Sequence, residues 1–231
     1  MFFDPMYFLF ILPGFILSLW ATFYVKSTFA KYSRKAGMRG FTGAQAAGEM
    51  LRRNGVNDVT IEAVPGTLTD HYDPTTKTLR LSESVHGSRS LAAIGVACHE
   101  AGHALQHAEG YAALTLRSAM VPITTFGSYG SYIFIIIGSM MGHPKLILWG
   151  ALLFSAVVLF SVITLPVEWN ASARAKVAMT RAGIVTEQES YEAGQVLNAA
   201  FLTYVASAVT ALLTLLYYLW RAGVFGGRRD D

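Results

Sequence analysis

The chain has few charged residues and almost no cysteine, and both shortages narrow the class of protein. Asp, Glu, Lys and Arg make up 14% of the 231 residues, 53% are hydrophobic, and the mean hydropathy is +0.40. Because soluble domains are about one quarter charged, this composition disfavours a soluble protein and indicates a membrane protein. The single cysteine, Cys98, excludes an internal disulfide, and we expect it to be a small buried thiol rather than a metal ligand.

Four uncharged segments are long enough to cross a bilayer. They cover 5–25, 118–144, 146–167 and 193–220, and a helical span needs about 20 residues. The first segment lacks a preceding basic region and a clear cleavage site, so we expect a retained anchor rather than a signal peptide. The sequence therefore predicts four transmembrane helices.

Basic residues follow the ends of these spans. Four Lys and Arg residues lie within 26–35, which by the positive-inside rule places this region in the cytoplasm and the N-terminus outside. The arginines of the tail, 221–231, favour the opposite orientation, so the side of the membrane on which the tail lies is left undecided. Because membrane orientation explains the net charge of +3, we expect no nucleic-acid partner.

The polar region between the first two spans has the pattern of a small α+β domain. A capping-box motif begins a helix at Thr42 and Asn54-Gly55 ends it. Alternating residues predict a strand at 59–64 and a hairpin of 67–72 with 78–82, forming a small antiparallel sheet. A longer helix is predicted at 88–109, before Gly110.

One pentad in this last helix, His99-Glu100-Ala101-Gly102-His103, has the HExxH form. On an α-helix, residues four apart lie about 40° apart around the axis, so both imidazoles can reach one metal ion. The pattern is typical of zinc hydrolases, in which the glutamate acts as a general base on water. The sequence therefore predicts His99 and His103 as zinc ligands and Glu100 as the catalytic base.

A catalytic zinc ion needs a third protein ligand, and Glu168 is the favoured candidate. Two predicted spans separate it from the HExxH helix, which returns it to the same side of the membrane. Pro166 lies just before it, where we expect a new helix to begin. Glu62, Glu83 and Asp70 are competing acids on that side.

His107 repeats the four-residue spacing of the two histidines. On a straight helix it would lie about 12 Å along the axis from His99, too far to share one tetrahedral ion. We therefore expect a polar interfacial or supporting role for His107 rather than metal ligation.

The HExxH helix, two hydrophobic helices and then Glu168-Trp169-Asn170-Ala171-Ser172-Ala173-Arg174-Ala175 resemble the gluzincin membrane peptidases. These include the HtpX-type heat-shock protease and the CAAX prenyl endopeptidase. The chain more closely resembles the small bacterial neutral zinc metallopeptidases of the YugP-like membrane family. That likeness runs nearly end to end, through the N-terminal anchor, 68–74, 99–103, 165–168 and 197–200.

The resemblance implies the same ligands, His99, His103 and Glu168, and the same base, Glu100. The wider gluzincin pattern has an acid four residues after the ligand glutamate, which can orient a ligating histidine. This chain has Ser172 at that position, and a hydroxyl supports an imidazole less strongly than a carboxylate does.

Other polar residues are candidates for supporting the metal ligands or stabilising the anionic transition state. A lone Tyr or His near a membrane interface more often packs or anchors, and the sequence leaves these candidates open. They are His71, Tyr72, His86, Arg174, Tyr191, Asn198 and Tyr204.

The predicted strand 78–82 precedes the metal helix and has two interpretations. It is either an edge on which a substrate strand pairs or an internal strand of the sheet. Because Glu168 directly follows a span, we expect the site near the membrane surface, with membrane proteins or juxtamembrane peptides as substrates.

We therefore predict a mostly α membrane protein with about four transmembrane helices and a small zincin-like α+β domain. The predicted organisation is an anchor (5–25), a cytoplasmic catalytic domain (26–117), two spans (118–167), a cytoplasmic helical segment (168–192), a fourth span (193–220) and a tail (221–231). The predicted function is zinc-dependent endopeptidase activity, with one zinc ion per chain and the lipid bilayer and a peptide or membrane-protein substrate as partners.

Two other functions compete with this prediction. A non-catalytic zinc-binding scaffold or quality-control adaptor would need no base such as Glu100 and would favour four closed protein ligands. An intramembrane zinc protease would carry the motif inside a span, but Arg89 leaves too short an apolar run before His99.

Overall fold

The computed structural model of the protein describes residues 4–225, which form seven helices and three strands. In chain order they are α1 (Pro5–Tyr32), α2 (Gly43–Arg53), β1 (Thr60–Val64), β2 (His71–Asp73), β3 (Thr78–Ser82), α3 (Glu83–His86), α4 (Leu91–Ala108), α5 (Ala112–Met140), α6 (Pro144–Arg181) and α7 (Glu187–Arg221). The part of the predicted tail beyond residue 225 lies outside the described residues.

Within that range, four helices are long and apolar enough to cross a membrane, namely α1, α5, α6 and α7. Each contains most or all of one predicted span. The protein is therefore a mostly helical membrane protein with a small α+β part, as composition and hydropathy predict.

The expectation that a new helix begins near Pro166 is wrong, because α6 runs unbroken from Pro144 to Arg181. A proline inside a helix removes one backbone donor and is normally costly. Residues just beyond it, Val167, Ala171 and Ala175, are fully buried. This packing offsets the loss, because tertiary burial contributes most of the stability of a helix in a protein.

The contacts of the chain divide it into two compact units. The first unit comprises the described residues of Met1–Ala21, Leu116–Leu165 and Thr203–Asp231. Its helices approach one another at small residues: a Cβ on Gly14 would lie 2.8 Å from Thr210 Oγ1, and one on Gly127 would lie 3.1 Å from the Leu153 carbonyl oxygen. Close contact at small residues is typical of membrane helices.

The second unit comprises Thr22–Thr115 and Pro166–Leu202. Its core is built from side chains of α2, the sheet, α4 and α6, and the largest of them are at most 1% exposed. These include Met50, Leu79, Leu81, Ile94 and Met179. The second unit contains the HExxH motif and Glu168.

Helix α2 confirms the predicted capping box. Thr42 Oγ1 accepts a hydrogen bond from the Gln45 N–H, and Gln45 Oε1 accepts one from the Thr42 N–H. The helix ends at Arg53 with Asn54 as its C-cap, which agrees with the predicted stop.

The sheet confirms the predicted hairpin and corrects the expected antiparallel sheet. Strands β2 and β3 pair antiparallel, but β1 pairs parallel with β3, so the strand order is β1-β3-β2. The segment between β1 and β2 carries the chain past β3, which leaves β3 in the centre, where it buries four of its five residues. Of its two interpretations, β3 is therefore the internal strand, and the substrate-edge interpretation is wrong.

Candidate metal centre

Helix α4 presents the HExxH motif in its second half. Ser90 caps the start by accepting a hydrogen bond from the Ala93 N–H, and the chain leaves the helix at Gly110 with a positive φ of 65°. Both ends lie within three residues of the prediction. The ring centroids of His99 and His103 are 4.8 Å apart, as expected for side chains one turn apart on the same face.

Glu168 of α6 meets both histidines. Its Oε2 lies 3.2 Å from His99 Nε2 and 3.5 Å from His103 Nε2, and the ligand atoms of the three residues all lie within 4.8 Å of one another. Glu168 is 1% exposed and His103 is 7% exposed. A carboxylate this buried is stable only when charged or hydrogen-bonded partners surround it.

The spacing of these atoms fits a zinc ion. Two ligands of a tetrahedral zinc ion, each bonded at about 2.0–2.1 Å, lie about 3.3–3.4 Å from each other. The two distances to Glu168 Oε2, 3.2 and 3.5 Å, bracket this value. Two imidazoles and a carboxylate are also a common donor set of catalytic zinc sites.

Gly102 allows α6 to approach α4 closely enough for this geometry. A Cβ at Gly102 would lie 2.6 Å from the carbonyl oxygen of Ala171, so any larger side chain would push the helices apart. The small "x" residue of the HExxH motif is thus required by packing, and it places the Glu168 turn of α6 against the histidines.

Each histidine has a polar partner at the nitrogen that faces away from Glu168. Ser172 Oγ lies 3.0 Å from His99 Nδ1, and Gln106 Oε1 lies 3.0 Å from His103 Nδ1. Such contacts orient an imidazole and leave Nε2 free to bind a metal. Ser172 therefore lies where a supporting role requires it, four residues after Glu168.

Burial affects the pKa values of two side chains at the site, His103 and Cys98, with different consequences. Burial disfavours a charged His103, but its hydrogen bonds to Glu168 and Gln106 and the charges of Glu100 and Glu168 outweigh burial, so the pKa of His103 is raised. A proton would therefore compete with a metal for its Nε2. Burial raises the pKa of the Cys98 thiol to about 12, so this residue does not offer a thiolate.

Glu100 lies beside the three clustered residues without belonging to the cluster. It is half-buried, and after the hydrogen bond to Glu168 its charge is one of the contributions that raise the pKa of His103. A carboxylate next to a metal site and still open to solvent is suited to proton transfer with water.

Two of the three competing acids have other partners. Asp70 accepts hydrogen bonds from the Ser82 N–H and hydroxyl at 2.8 and 3.1 Å, and Glu62 lies 3.6 Å from Arg80. Glu83 begins helix α3. Among the residues that the structure describes, it is Glu168 that joins the two histidines.

His107 also lies outside the cluster. Its Nδ1 is 2.9 Å from the Tyr72 hydroxyl, which links the end of α4 to β2. His71 Nδ1 lies 2.8 Å from the Thr69 carbonyl oxygen, and His71 is exposed. The distance between His99 and His107 along a straight helix explains why His107 does not join the cluster.

The remaining sequence candidates are spread over the chain. Arg174 pairs with Glu109 at 2.6 Å and donates from Nε to Asn170 Oδ1 at 2.7 Å. Asn198 is exposed on α7. Tyr204 belongs to the first unit, and the roles of Asn198 and Tyr204 stay predictions.

Gln106, which contacts His103 directly, was not among the predicted site residues. One signal was present: it is a polar residue three residues after His103 on the same helix. Residues three apart are neighbours on a helix, so the spacing alone could have identified it.

Comparison with known proteins identifies a matching family and a relative. Residues 7–223 match the model of a family described as "Putative neutral zinc metallopeptidase". The chain belongs to this family. It is also 48% identical over 215 residues to the "Putative membrane protease YugP" of Bacillus subtilis (strain 168), which covers 93% of this chain and 94% of that protein. No solved structure matches the chain. Membership of a zinc metallopeptidase family supports a protease role for this membrane protein.

Proposed function

We propose that the protein is a membrane-embedded zinc-dependent endopeptidase that binds one zinc ion per chain through His99, His103 and Glu168. The observation that carries the proposal is that Glu168 Oε2 lies 3.2 Å from His99 Nε2 and 3.5 Å from His103 Nε2, as expected of zinc ligands, with the ligand atoms of all three residues within 4.8 Å of one another. Family membership supports it independently.

Zinc in this site would polarise the carbonyl of the scissile bond and lower the pKa of a water molecule toward about 7. Glu100 would accept a proton from the attacking water and deliver it to the leaving amine. Glu168 would be the anionic ligand of the metal, while Ser172 and Gln106 hold the imidazoles in their binding orientation.

The position of Glu168 in α6 supports a metal site close to the membrane. Glu168 directly follows the uncharged stretch of α6, within the same helix. Because the ligand is within one helical turn of the apolar segment, we propose membrane proteins or juxtamembrane peptides as the substrate class.

Metal content tests the proposed ligands. We expect one zinc ion per chain in detergent-purified protein, lost in Glu168→Ala and retained in His107→Ala and in Glu62→Ala, a matched carboxylate control. Zinc retained in Glu168→Ala would contradict the ligand assignment, and zinc lost in His107→Ala would place the site elsewhere.

Activity separates an enzyme from the alternative, a zinc-binding scaffold or adaptor. We expect wild type to cleave a peptide substrate in a zinc-dependent manner and Glu100→Gln to bind zinc without cleaving. Wild-type protein that binds one zinc ion but lacks hydrolytic activity against a broad set of peptides and membrane-protein substrates would favour the scaffold.

We further propose that the N-terminus is outside and the metal site faces the cytoplasm, which follows from the basic residues after the first span. The lone buried Cys98 permits a test by labelling of introduced cysteines. An impermeant maleimide applied to intact cells should label His143→Cys, in the exposed turn before α6, and not Thr75→Cys, in the exposed turn after β2. The reverse pattern would invert the proposed topology.

A further inference from the structure

Gln106 is a fully buried amide whose polar atoms all have partners. It is 0% exposed, and it contacts one group of α4 and two groups of α6. Its Oε1 lies 3.0 Å from His103 Nδ1, and its Nε2 donates to the Val167 carbonyl oxygen at 2.8 Å and to Asn170 Oδ1 at 2.9 Å. Burying an amide is costly unless such bonds are made, so the arrangement needs all three.

The orientation of this amide follows from its partners. A backbone carbonyl only accepts hydrogen bonds, so the atom of Gln106 that faces Val167 must be the NH2 nitrogen. The guanidinium of Arg174 only donates, so the Asn170 atom that it contacts at 2.7 Å must be the oxygen. The same oxygen accepts from Gln106, and both constraints therefore place Gln106 Oε1 toward His103.

This orientation determines the tautomer of His103. An amide oxygen only accepts, so His103 Nδ1 carries the hydrogen and its Nε2 presents a lone pair when the ring is neutral. That Nε2 is the atom 3.5 Å from Glu168 Oε2. Gln106 thus selects the form of His103 that can bind a metal.

The same side chain also holds the helix that supplies the third ligand. Val167 and Asn170 lie on either side of Glu168 in sequence, and Gln106 bonds to both. One amide therefore connects the imidazole on α4 to the turn of α6 that carries the carboxylate. Arg174 adds two contacts to this set of hydrogen bonds, since it bonds both Asn170 and Glu109, the C-cap of α4.

We propose that Gln106 is a positioning residue of the metal centre, which sets the tautomer and rotation of His103 and its register with Glu168, and that Asn170 holds Gln106 in place. The inference rests on the proposed function, because it concerns the affinity of the same metal site. It assigns to Gln106 on His103 the supporting role that the sequence predicts for Ser172 on His99.

Metal affinity tests this role directly. Zinc affinity is measured by chelator competition in detergent, and the visible spectrum of the Co²⁺-substituted protein reports the ligand geometry. Gln106→Leu keeps the approximate volume and removes every hydrogen bond, and we expect about 10- to 100-fold weaker zinc binding, as for other residues that orient metal ligands. We also expect a changed Co²⁺ spectrum.

A second pair of variants covers the case in which Gln106→Leu does not fold. Asn170→Asp retains an acceptor for Gln106 and Arg174, so we expect zinc affinity close to wild type. Asn170→Leu removes that acceptor, and we expect about 10-fold weaker binding, at the low end of the same range. Met50→Ala, a core substitution in α2, should lower the melting temperature without changing zinc affinity.

The outcomes distinguish this inference from the proposed function. Zinc binding by Gln106→Leu or Asn170→Leu as tight as wild type, with Glu168→Ala unable to bind, overturns the positioning role and leaves the metal site intact. Equal losses in Met50→Ala and Asn170→Leu would also overturn it, because the effect would then follow general stability. Wild-type protein that binds no zinc overturns the proposed function itself.

Discussion

In the first unit many large apolar side chains are exposed on the helices, whereas the second unit contains the main buried apolar core. Ile133 of α5 is 58% exposed and Phe126 is 79% exposed, while Leu79, Leu81 and Ile94 in the second unit are at most 1% exposed. Both units obey the same packing physics, but the first has the composition of a surface in contact with lipid.

Helix α6 shows the difference within one element. Trp149 and Leu152, in its first half, are 60% and 51% exposed, whereas Glu168 and Ser172, in its second half, are buried. A polar residue buried in the second half finds partners on α4. In α6 it is the buried carboxylate and hydroxyl in contact with the α4 histidines that mark the candidate site.

The largest expected effect comes from replacing Glu100, the proposed catalytic base. Glu100→Gln should lower the rate of peptide hydrolysis about 10²- to 10⁴-fold, the contribution typical of a general base, while zinc content is unchanged. Steady-state kinetics with metal analysis measure both quantities. Glu187→Gln, an exposed acid at the start of α7, is the control, and activity of Glu100→Gln close to wild type would remove Glu100 from the mechanism.

Two lysine substitutions test whether exposed side chains face lipid in the first unit and water in the second. Ile133→Lys, near the middle of an apolar segment, should cost about 2.5–3.5 kcal/mol of insertion free energy. Met38→Lys, at a residue that is 82% exposed in the second unit, should change stability by no more than about 0.5 kcal/mol. Membrane insertion assays and thermal melts check the pair; equal tolerance at both positions would contradict the comparison.

Adding a methyl group at a close contact between helices should have different effects in the two units. Gly102→Ala places a Cβ 2.6 Å from a carbonyl oxygen of α6, and we expect about 1–3 kcal/mol of lost stability together with weaker zinc binding. Gly127→Ala meets its nearest atom at 3.1 Å in the first unit, so the loss should be smaller and zinc affinity unchanged. Unchanged zinc affinity in Gly102→Ala would show that the helix approach does not control the site.

The smallest expected effect concerns the hairpin on the exposed side of the second unit. Hydrogen bonds from Thr76 and Arg80 and from the Thr75 N–H hold the pKa of Asp73 well below its usual range. A lowered carboxyl pKa stabilises the fold above the ordinary value of 3.8 and loses that contribution as pH falls further. We expect faster hydrogen exchange of the 73–78 amides as pH drops below about 4, after correction for intrinsic rates, and little pH response in Asp73→Asn.

Much of the fold was predictable because its signals are local. The capping box at Thr42 and Gln45, the hairpin turn and the helix end at Gly110 depend on neighbours in sequence, and the structure confirms each of them. The parallel pairing of β1 with β3 was not predictable, since it depends on how the chain passes from β1 to β2. The continuity of α6 through Pro166 likewise depends on packing of the residues beyond it.

A membrane protein with an HExxH helix could be predicted from the amino-acid sequence, because uncharged length and four-residue histidine spacing are properties of the chain alone. The sequence also singled out Glu168 as the preferred acid, without excluding Glu62, Glu83 and Asp70. Choosing among these acids required the folded structure, because it shows which carboxylate reaches both imidazoles. The position of Gln106 between His103 and the Glu168 turn could likewise be found only in the folded structure. Hydrogen bonds between helices depend on the distance and angle at which the helices meet.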